Sequence, residues 1–483
     1  MFPGGVRRRH GWTAILAVAV LGLGTAACGG GKGEAKSPGN VAGLPVTHFE
    51  SGFKPNAPKP DLQVDDLTNE ESDQIAAASI ADVMSYWDEQ LPKNFDGQKF
   101  EPVKSLLSYD SSGENRETAC GDTKELVNAF YCGRDDSVAW DRGVLLPMLL
   151  KRFGKMSVVT VLAHEFGHAV QYRLLDKAGI SANTPSIVKE QQADCFAGGY
   201  FRYLAEDKSK YFKLSTSEGL NEVMASLFFI RDQAGDSAVE KGAHGSAFDR
   251  SYAFQIGFEK TPKDCATINL EEIQSRITEV PFAKGKDQQQ QGDSKIDEKN
   301  IGFVKESLDQ AFSGAGAQPP QFAADGAACP SGPNTPPASY CPDNNTVTYD
   351  LAALRQLGQP ADRQAEQQGE DPGGLGDFAV FAELASRYAQ GIQKHVGASL
   401  DNVNAGLRTA CLVGAWAAVT NKPGNKLRLS PGDLDEAIAD LLLPNSLVSA
   451  DVNGKRVESG FARVAALRKG YVEGSKTCTD QYG

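Results

Sequence analysis

The stretch “KMSVVTVLAHEFGHAVQYRLLDKAG”, residues 155–179, predicts the central helix of one domain. Its apolar residues recur at steps of three and four, and Ser157 and Gly179 are suited to begin and end the helix. His164 and His168 are four residues apart, so both imidazole rings lie on one face. The spacing therefore predicts two ligands of a single metal ion.

Glu165 adds a second chemical role to the same helix. It follows His164 directly, where it can reach a metal-activated water without being a ligand. Metalloproteases use this arrangement to remove a proton from water. We therefore expect zinc as the metal and Glu165 as the general base.

A catalytic zinc site needs a third protein ligand and one open position. Residues 183–207, “NTPSIVKEQQADCFAGGYFRYLAED”, predict a second helix with Thr184 as its N-cap. Glu190 and Asp194 share one face of this helix. We expect Glu190 to be the third zinc ligand and Asp194 to orient a histidine ring. The alternative is a solvated acidic face.

Amide hydrolysis also needs a hydrogen-bond donor for the developing oxyanion. His244, in “KGAHGSAFDR”, is the remaining histidine of this domain, because His10 lies in the N-terminal leader, His48 in a spacer and His395 in the second half. We expect His244 to be this donor, with Arg250 as a weaker companion. The alternative is a surface histidine at a glycine-bounded turn.

The first 27 residues predict a secretory signal. A basic start, “MFPGGVRRRHGW”, precedes an apolar run, “TAILAVAVLGLG”, and small residues lead to Cys28. The Gly-rich stretch after Cys28 is similar to that of bacterial lipoproteins, so we expect a lipid at Cys28 to anchor the chain outside the cytoplasm, on the bacterial cell membrane. A plain signal peptide cut elsewhere, which would leave a secreted protein, is the alternative.

Charge excludes one class of function. Removing the signal takes away three arginines and no acid, which leaves 46 basic and 62 acidic residues and a net charge of −16. A chain this acidic has no electrostatic attraction for nucleic acid. A length of 483 residues is too great for one ordinary core and predicts two domains.

The second half of the sequence repeats the first. “ACGDTKELVNAFYCGRDDSVAWD” (119–141) corresponds to “ACPSGPNTPPASYCPDNNTVTYD” (328–350), and four later blocks recur in the same order, among them “DCFAGGY” (194–200) and “ACLVGAW” (410–416). This order indicates duplication of a domain of about 200 residues. Shared helical patterning is the alternative.

The repeat also predicts the disulfide pairing. Nine cysteines less Cys28 leave eight, an even number that suits an oxidising compartment. Corresponding cysteines of the two copies pair in the same way. The expected disulfides are Cys120–Cys132, Cys195–Cys265, Cys329–Cys341 and Cys411–Cys478.

The second copy replaces the six residues with the main predicted chemical roles, which are His164, Glu165, His168, Glu190, Asp194 and His244. In chain order the replacements are Ser386, Arg387, Gln390, Gly406, Ala410 and Val457. Ser, Arg and Gln are not usual zinc ligands, and the arginine would repel a cation. We therefore expect one zinc per chain and a catalytically inactive second copy.

Five segments follow from these patterns, and the expected fold class is α+β, with two tandem, mostly helical units that each contain a short sheet. The predicted segments are a lipoprotein signal peptide (1–27), a flexible Gly- and Pro-rich spacer (28–61), a zinc metallopeptidase unit (62–283), a polar linker (284–300) and a degenerate unit without zinc ligands (301–483).

Four motifs carry a resemblance to a known family. “FYCGRDDSVAWD”, “VLAHEFGHAVQ”, “EQQADCFAGGY” and “HGSAFDR”, in this order, resemble those of the bacterial neutral zinc metallopeptidases over about residues 65–270. The resemblance implies a zincin-like fold, zinc at His164, His168 and Glu190, and Glu165 as general base. It further implies a strand that holds the substrate beside the metal, for which we expect “DSVAWD” (136–141).

Two functions of different classes are consistent with the sequence. The first is an exported, lipid-anchored zinc endopeptidase that hydrolyses a peptide or protein substrate with a metal-activated water. The second is a non-catalytic cell-surface lipoprotein whose peptidase-like units bind a partner. The intact residue set of the first unit favours the enzyme, whereas the second unit favours a binding contribution.

Overall fold

The computed structural model describes residues 40–236, 242–278, 281–282, 293–368, 370–420 and 425–483. The predicted signal peptide, Cys28 and parts of the predicted spacer and linker lie outside these residues. Below, the described residues up to 282 are called the N-terminal half, and those from 293 onward are called the C-terminal half.

Helices form most of the regular structure. They are α1 Glu71–Asn94, α2 Leu145–Phe153, α3 Lys155–Leu174, α4 Ser186–Ala205, α5 Glu218–Phe229, α6 Ala247–Glu259, α7 Pro262–Cys265, α8 Leu270–Gln274, α9 Glu298–Ala311, α10 Leu351–Leu357, α11 Arg363–Gln368, α12 Asp377–His395, α13 Ala405–Thr420, α14 Asp433–Leu442, α15 Gly460–Glu473 and α16 Ser475–Tyr482. Among these helices, none is both long and apolar enough to cross a membrane.

The strands are short. They are β1 Asn40–Val41, β2 Leu44–Pro45, β3 Gly52–Phe53, β4 Ser105–Tyr109, β5 Glu117–Thr118, β6 Gly121–Asp122, β7 Ala129–Cys132, β8 Ser137–Asp141, β9 Phe212–Lys213, β10 Gln321–Ala323, β11 Ala338–Cys341 and β12 Thr346–Tyr349. Small sheets beside many helices confirm the predicted α+β class.

Each half contains one three-stranded sheet with the same topology. The strand orders are β4-β8-β7 and β10-β12-β11. In both sheets the central strand pairs parallel with the first strand and antiparallel with the last. A series of helices follows each sheet, and most of the buried hydrophobic residues of each half form one core cluster. The exceptions are Phe461, which packs with the N-terminal cluster, and Ala247 and Phe248, which pack with the C-terminal cluster.

Corresponding helix pairs approach closely at a glycine. A Cβ atom added to Gly257 of α6 would lie 1.7 Å from the carbonyl oxygen of Cys195 in α4. A Cβ atom added to Gly470 of α15 would lie 1.7 Å from that of Cys411 in α13. Only glycine fits at either position, so the two pairs pack in the same way.

The structure contains the four disulfides that the internal repeat predicts. Two close the sheet regions, and two join α4 to α7 and α13 to α16; the pairs are Cys120–Cys132, Cys329–Cys341, Cys195–Cys265 and Cys411–Cys478. None of these four bridges crosses from one half to the other.

Acidic side chains cap the central helices of both halves. Glu222 of α5 accepts a hydrogen bond from the Met156 backbone N–H of α3 at 2.9 Å. Glu436 of α14 accepts one from the Phe378 backbone N–H of α12 at 2.8 Å. Free N–H groups at a helix start favour such a carboxylate. The same contact therefore marks α12 as the structural counterpart of α3.

The two halves also cap each other. Asp435 of α14 accepts hydrogen bonds at 3.1 and 3.0 Å from the backbone N–H groups of Ala247 and Phe248 at the start of α6. In the other direction, Asn221 of α5 accepts one at 2.5 Å from the Gly460 backbone N–H at the start of α15. The contact between the halves is thus reciprocal.

Residues 40–61 are more ordered than the predicted flexible spacer. Val41 is fully buried in the core of the N-terminal half, and β3 pairs antiparallel with β9. Thr47 also exchanges hydrogen bonds with Thr216. Buried apolar surface and backbone pairing hold this segment on the domain, although its Pro-rich composition suggested a solvated chain.

Candidate active site

Three predicted ligands converge between α3 and α4. Glu190 Oε2 lies 3.1 Å from His164 Nε2 and 3.5 Å from His168 Nε2. Zinc takes such ligands at about 2.0–2.1 Å, so two ligand atoms of a tetrahedral site are about 3.4 Å apart. Two imidazole nitrogens and one carboxylate oxygen at these separations fit a zinc ion with one open position.

Acceptors on the far side of each ring orient the two histidines. His164 Nδ1 lies 2.8 Å from Asp194 Oδ1, which is the contact that the sequence predicts. His168 Nδ1 lies 3.0 Å from Gln171 Oε1. A hydrogen on each Nδ1 satisfies both contacts, so Nε2 of each ring, which faces Glu190, is the atom available to a metal.

Gln171 is a site residue that the sequence analysis did not identify. Its amide nitrogen donates to the Lys189 carbonyl oxygen at 2.6 Å and to Gln192 Oε1 at 3.2 Å, so its oxygen is held toward His168. The side chain lies three residues after His168 on the same helix face. A search for an acceptor within one turn of each histidine would have found it.

Gly167 allows α3 and α4 to approach. A Cβ atom at this position would lie 2.7 Å from the Cα atom of Ala193. Since Gly167 precedes His168 and Ala193 lies three residues after Glu190, any larger residue would push apart the two helices that carry the ligands. The glycine of the “HEFGH” stretch therefore positions the ligand set.

Asp194 is held by a buried arginine as well as by His164. Arg250 Nε and Nη2 donate to its two carboxylate oxygens at 2.9 and 2.8 Å, and Nη1 donates to the Ile230 carbonyl oxygen at 3.0 Å. Both charged side chains are almost fully buried. Arg250 is therefore not the second oxyanion donor that we expected, because its donors are directed at protein acceptors.

The electrostatics of the ligand cluster favour a cation. Burial disfavours the charged imidazole, but the Asp194 and Glu190 carboxylates outweigh it and raise the pKa of His164 to about 10. Burial likewise opposes ionisation of Glu190, but His168 and His164 lower its pKa well below the usual range. The raised pKa favours a charged His164 and the lowered pKa favours an ionised Glu190, so the carboxylates here attract positive charge, which a divalent metal would also supply.

Glu165 lies beside the ligands without contacting them directly. Its Oε2 accepts a hydrogen bond from the Tyr131 backbone N–H at 2.9 Å. Burial raises the pKa of this carboxyl, and the nearby His164 and His168 oppose the rise. A buried carboxylate with a raised pKa is suited to accept a proton near neutral pH.

The expected substrate strand was assigned to the wrong position in the sheet. Residues 137–141 form β8, which pairs with β4 on one side and β7 on the other, so it has no free edge. All five of its residues are buried, as in a central strand. The strand nearest to Glu165 is β7, where the Tyr131 N–H points away from β8.

Both predicted N-caps are also displaced. α3 begins at Lys155 after Gly154, and Ser157 lies inside its first turn. α4 begins at Ser186 with Pro185 as N-cap, so Thr184 precedes the cap. Gly154 adopts a left-handed backbone conformation, with φ of 93°, that a side chain would disfavour.

His244 lies at a turn on the surface. Its side chain is 48% exposed, and Nδ1 lies 3.2 Å from Asp232 Oδ1. Among the described residues, no hydrogen bond connects it to the ligand cluster. The next residue, Gly245, lies against Ile187 and Gln191 of α4, which places the turn near the helix that carries Glu190.

The C-terminal half has an arginine at the position that corresponds to Glu165. The register that sets Met156 opposite Phe378 also sets Glu165 opposite Arg387. The Arg387 guanidinium is fully buried and donates to the carbonyl oxygens of Leu447 and Asp451 at 2.9 and 3.1 Å. Burial lowers its pKa to about 10.

A family model matches part of the chain. Residues 41–268 match the model of a family described as “Putative neutral zinc metallopeptidase”. No curated protein and no solved structure matches the chain. The matched region includes the whole ligand cluster and Glu165, so it is similar to zinc-dependent peptidases in motif, and the convergent side chains are consistent with that reaction.

Proposed function

We propose that the protein is an exported, lipid-anchored zinc endopeptidase with one active site per chain. The main support is the ligand cluster, in which both histidines have Nδ1 engaged and Nε2 facing the same Glu190 oxygen. The match of residues 41–268 to a zinc metallopeptidase family supports the same reaction. The signal sequence and Cys28 support export and anchoring.

The residues around the metal site have separate catalytic roles. Zinc, when bound, polarises the scissile carbonyl group and makes a water molecule more acidic. Glu165 takes the proton of the attacking water on Oε1, because Tyr131 holds Oε2. Its raised pKa favours this proton uptake, and the protonated carboxyl then gives the proton to the more basic leaving amine. Asp194 and Gln171 keep the histidine rings oriented.

The free edge of β7 is the proposed binding site for the substrate backbone. β7 pairs with β8 on one side only, and its other side faces Glu165 through the Tyr131 N–H. An extended peptide can add by main-chain hydrogen bonds to the part of this edge that Glu165 does not occupy. This position supports cleavage within a chain, because a peptide lying along β7 can extend past the metal in both directions.

The C-terminal half is proposed to be a duplicated copy that lost its metal. Its sheet topology, disulfides, glycine contact and helix cap repeat those of the N-terminal half. Arg387 supplies positive charge within the helix, and Ser386 and Gln390 replace the histidines. Its Asp435 caps α6 of the N-terminal half, and Asn221 of that half caps α15 in return, which supports a role in stabilising the catalytic half.

His244→Ala should lower kcat by on the order of 10²-fold while zinc binding is kept, because one donor to the oxyanion is lost. Its Nδ1 lies near Asp232, which leaves Nε2 as the donor. Steady-state kinetics with metal analysis checks this, with the exposed His395→Ala as the matched control. An unchanged kcat would make His244 a residue of the surface turn only.

A peptide-library digest tests the proposed activity. The mature protein is incubated with the library, and products are read by mass spectrometry with zinc bound, after chelation and after zinc is restored. We expect internal cleavage in the first and third samples and none in the second. Absence of cleavage at every zinc concentration would instead favour a binding lipoprotein.

A further inference from the structure

A second group of acidic side chains lies in the C-terminal half, at the starts of α12 and α14. One oxygen each of Asp293, Asp377 and Glu436 lies within 4.8 Å of the others. Asp433, which is 5% exposed, interacts electrostatically with Asp293 and Asp377. Across the described residues, no hydrogen bond or ion pair connects these four carboxylates to Lys, Arg or His. Such a concentration of negative charge is unfavourable without a counter-charge.

One buried carboxylate oxygen of this group has no hydrogen-bond partner among the described residues, which indicates a bound ligand. Asp377 is 3% exposed. Its Oδ2 accepts a hydrogen bond from the Ser294 backbone N–H at 2.7 Å, whereas its buried Oδ1 has no partner among the described residues. Buried polar atoms of native proteins nearly always have a partner. A cation held by the three carboxylates would provide one.

The N-terminal half shows what occupies the equivalent place there. The shared helix caps make Lys155, the first residue of α3, the counterpart of Asp377, the first residue of α12. Lys155 Nζ lies 3.2 Å from Glu50 Oε1 and 3.6 Å from Glu71 Oε1, and its charge also acts on Glu222. In the N-terminal half, acidic side chains therefore surround a lysine ammonium group. In the C-terminal half, an acidic residue stands at the position of that lysine.

We propose that Asp293, Asp377 and Glu436 bind a calcium ion, with the charge of Asp433 close by. Hard carboxylate oxygens are the ligands that calcium prefers, and its flexible coordination suits a set drawn from two helices and a preceding segment better than the strict octahedron of magnesium. Asp293 and Glu436 also border a cavity of about 300 Å³, whose two arginines, Arg231 and Arg363, are both paired with Glu366. The ion takes the electrostatic role that Lys155 has in the N-terminal half.

Thermal unfolding with and without calcium chloride tests this site in the purified mature protein. We expect calcium to raise the unfolding midpoint of the wild type by about 3 °C or more at saturation. Asp377→Asn should weaken calcium binding, measured by calorimetric titration, at least tenfold. Asp377→Lys should unfold at the same temperature with or without calcium, and at least as high as the calcium-free wild type.

Two controls separate this site from other effects. The exposed Asp480→Asn should respond to calcium as the wild type does. His168→Ala, which alters the proposed zinc cluster, should also keep the calcium response, so failure of the peptidase proposal leaves this test intact. A wild type that does not respond to calcium, or an Asp377→Asn variant with wild-type calcium affinity, would overturn the proposal.

Discussion

Glu165→Gln should retain zinc and lose peptide hydrolysis, with kcat falling by about 10²- to 10⁴-fold. The amide keeps the size of the carboxylate and its contact with Tyr131 but cannot accept a proton from water. Glu165 is not one of the three convergent ligands, so the metal should stay. Zinc content and kcat are measured on the same purified sample.

Two further variants serve as controls for this result. His168→Ala should lose zinc and hydrolysis together, because two protein ligands remain. Glu114→Gln, a matched change at an exposed glutamate of the same half, should leave both unchanged. Wild-type turnover in zinc-loaded Glu165→Gln would show that another group removes the proton.

Asp194→Ala should produce the largest loss of stability, on the order of 3–5 kcal/mol, because it leaves the buried Arg250 guanidinium without its carboxylate. Unfolding is measured by denaturant titration with disulfides intact and zinc absent, so that lost metal binding does not contribute. The same change should also weaken zinc binding, since the His164 ring loses its acceptor.

A double variant identifies the origin of the loss. Asp194→Ala with Arg250→Met removes both charges and should be markedly more stable than Asp194→Ala alone. Asp176→Ala, at an exposed site just after α3, is the matched control and should change little. If Asp194→Ala unfolds like Asp176→Ala, the buried ion pair does not stabilise the fold.

Local spacing predicted the centre of the site. His164, Glu165 and His168 are adjacent on one helix, so their relation depends on helical geometry alone. Glu190 and Asp194 could be assigned because zinc requires a third ligand and an oriented histidine. The similarity between the two halves of the sequence predicted the disulfides, since cysteines at corresponding positions were expected to pair alike.

Features that depend on tertiary contacts could not be predicted in the same way. The contact of Arg250 with Asp194 joins residues 56 apart, and no local pattern reports it. The central position of β8 was also missed, although its “SVAW” run is typical of a strand that is buried on both faces. Composition alone suggested a flexible spacer, where Val41 and β3 pack on the domain.

The contact between the halves could not be predicted from the sequence. Asn221 and Asp435 are ordinary polar residues at helix starts, and each caps a helix of the other half. Capping residues are recognised in sequence by the helix that they begin, not by a distant helix. The reciprocal contact therefore became visible only in the folded chain.

The zinc requirement of hydrolysis tests the proposed site most directly. Zinc is titrated into metal-free mature protein while cleavage of a peptide library is followed. Activity should rise in proportion to zinc and reach a plateau at one zinc per chain, because Ser386 and Gln390 stand in place of the two histidines in the C-terminal half. Hydrolysis that persists without zinc, or that needs two zinc ions per chain, would contradict a single site at His164, His168 and Glu190.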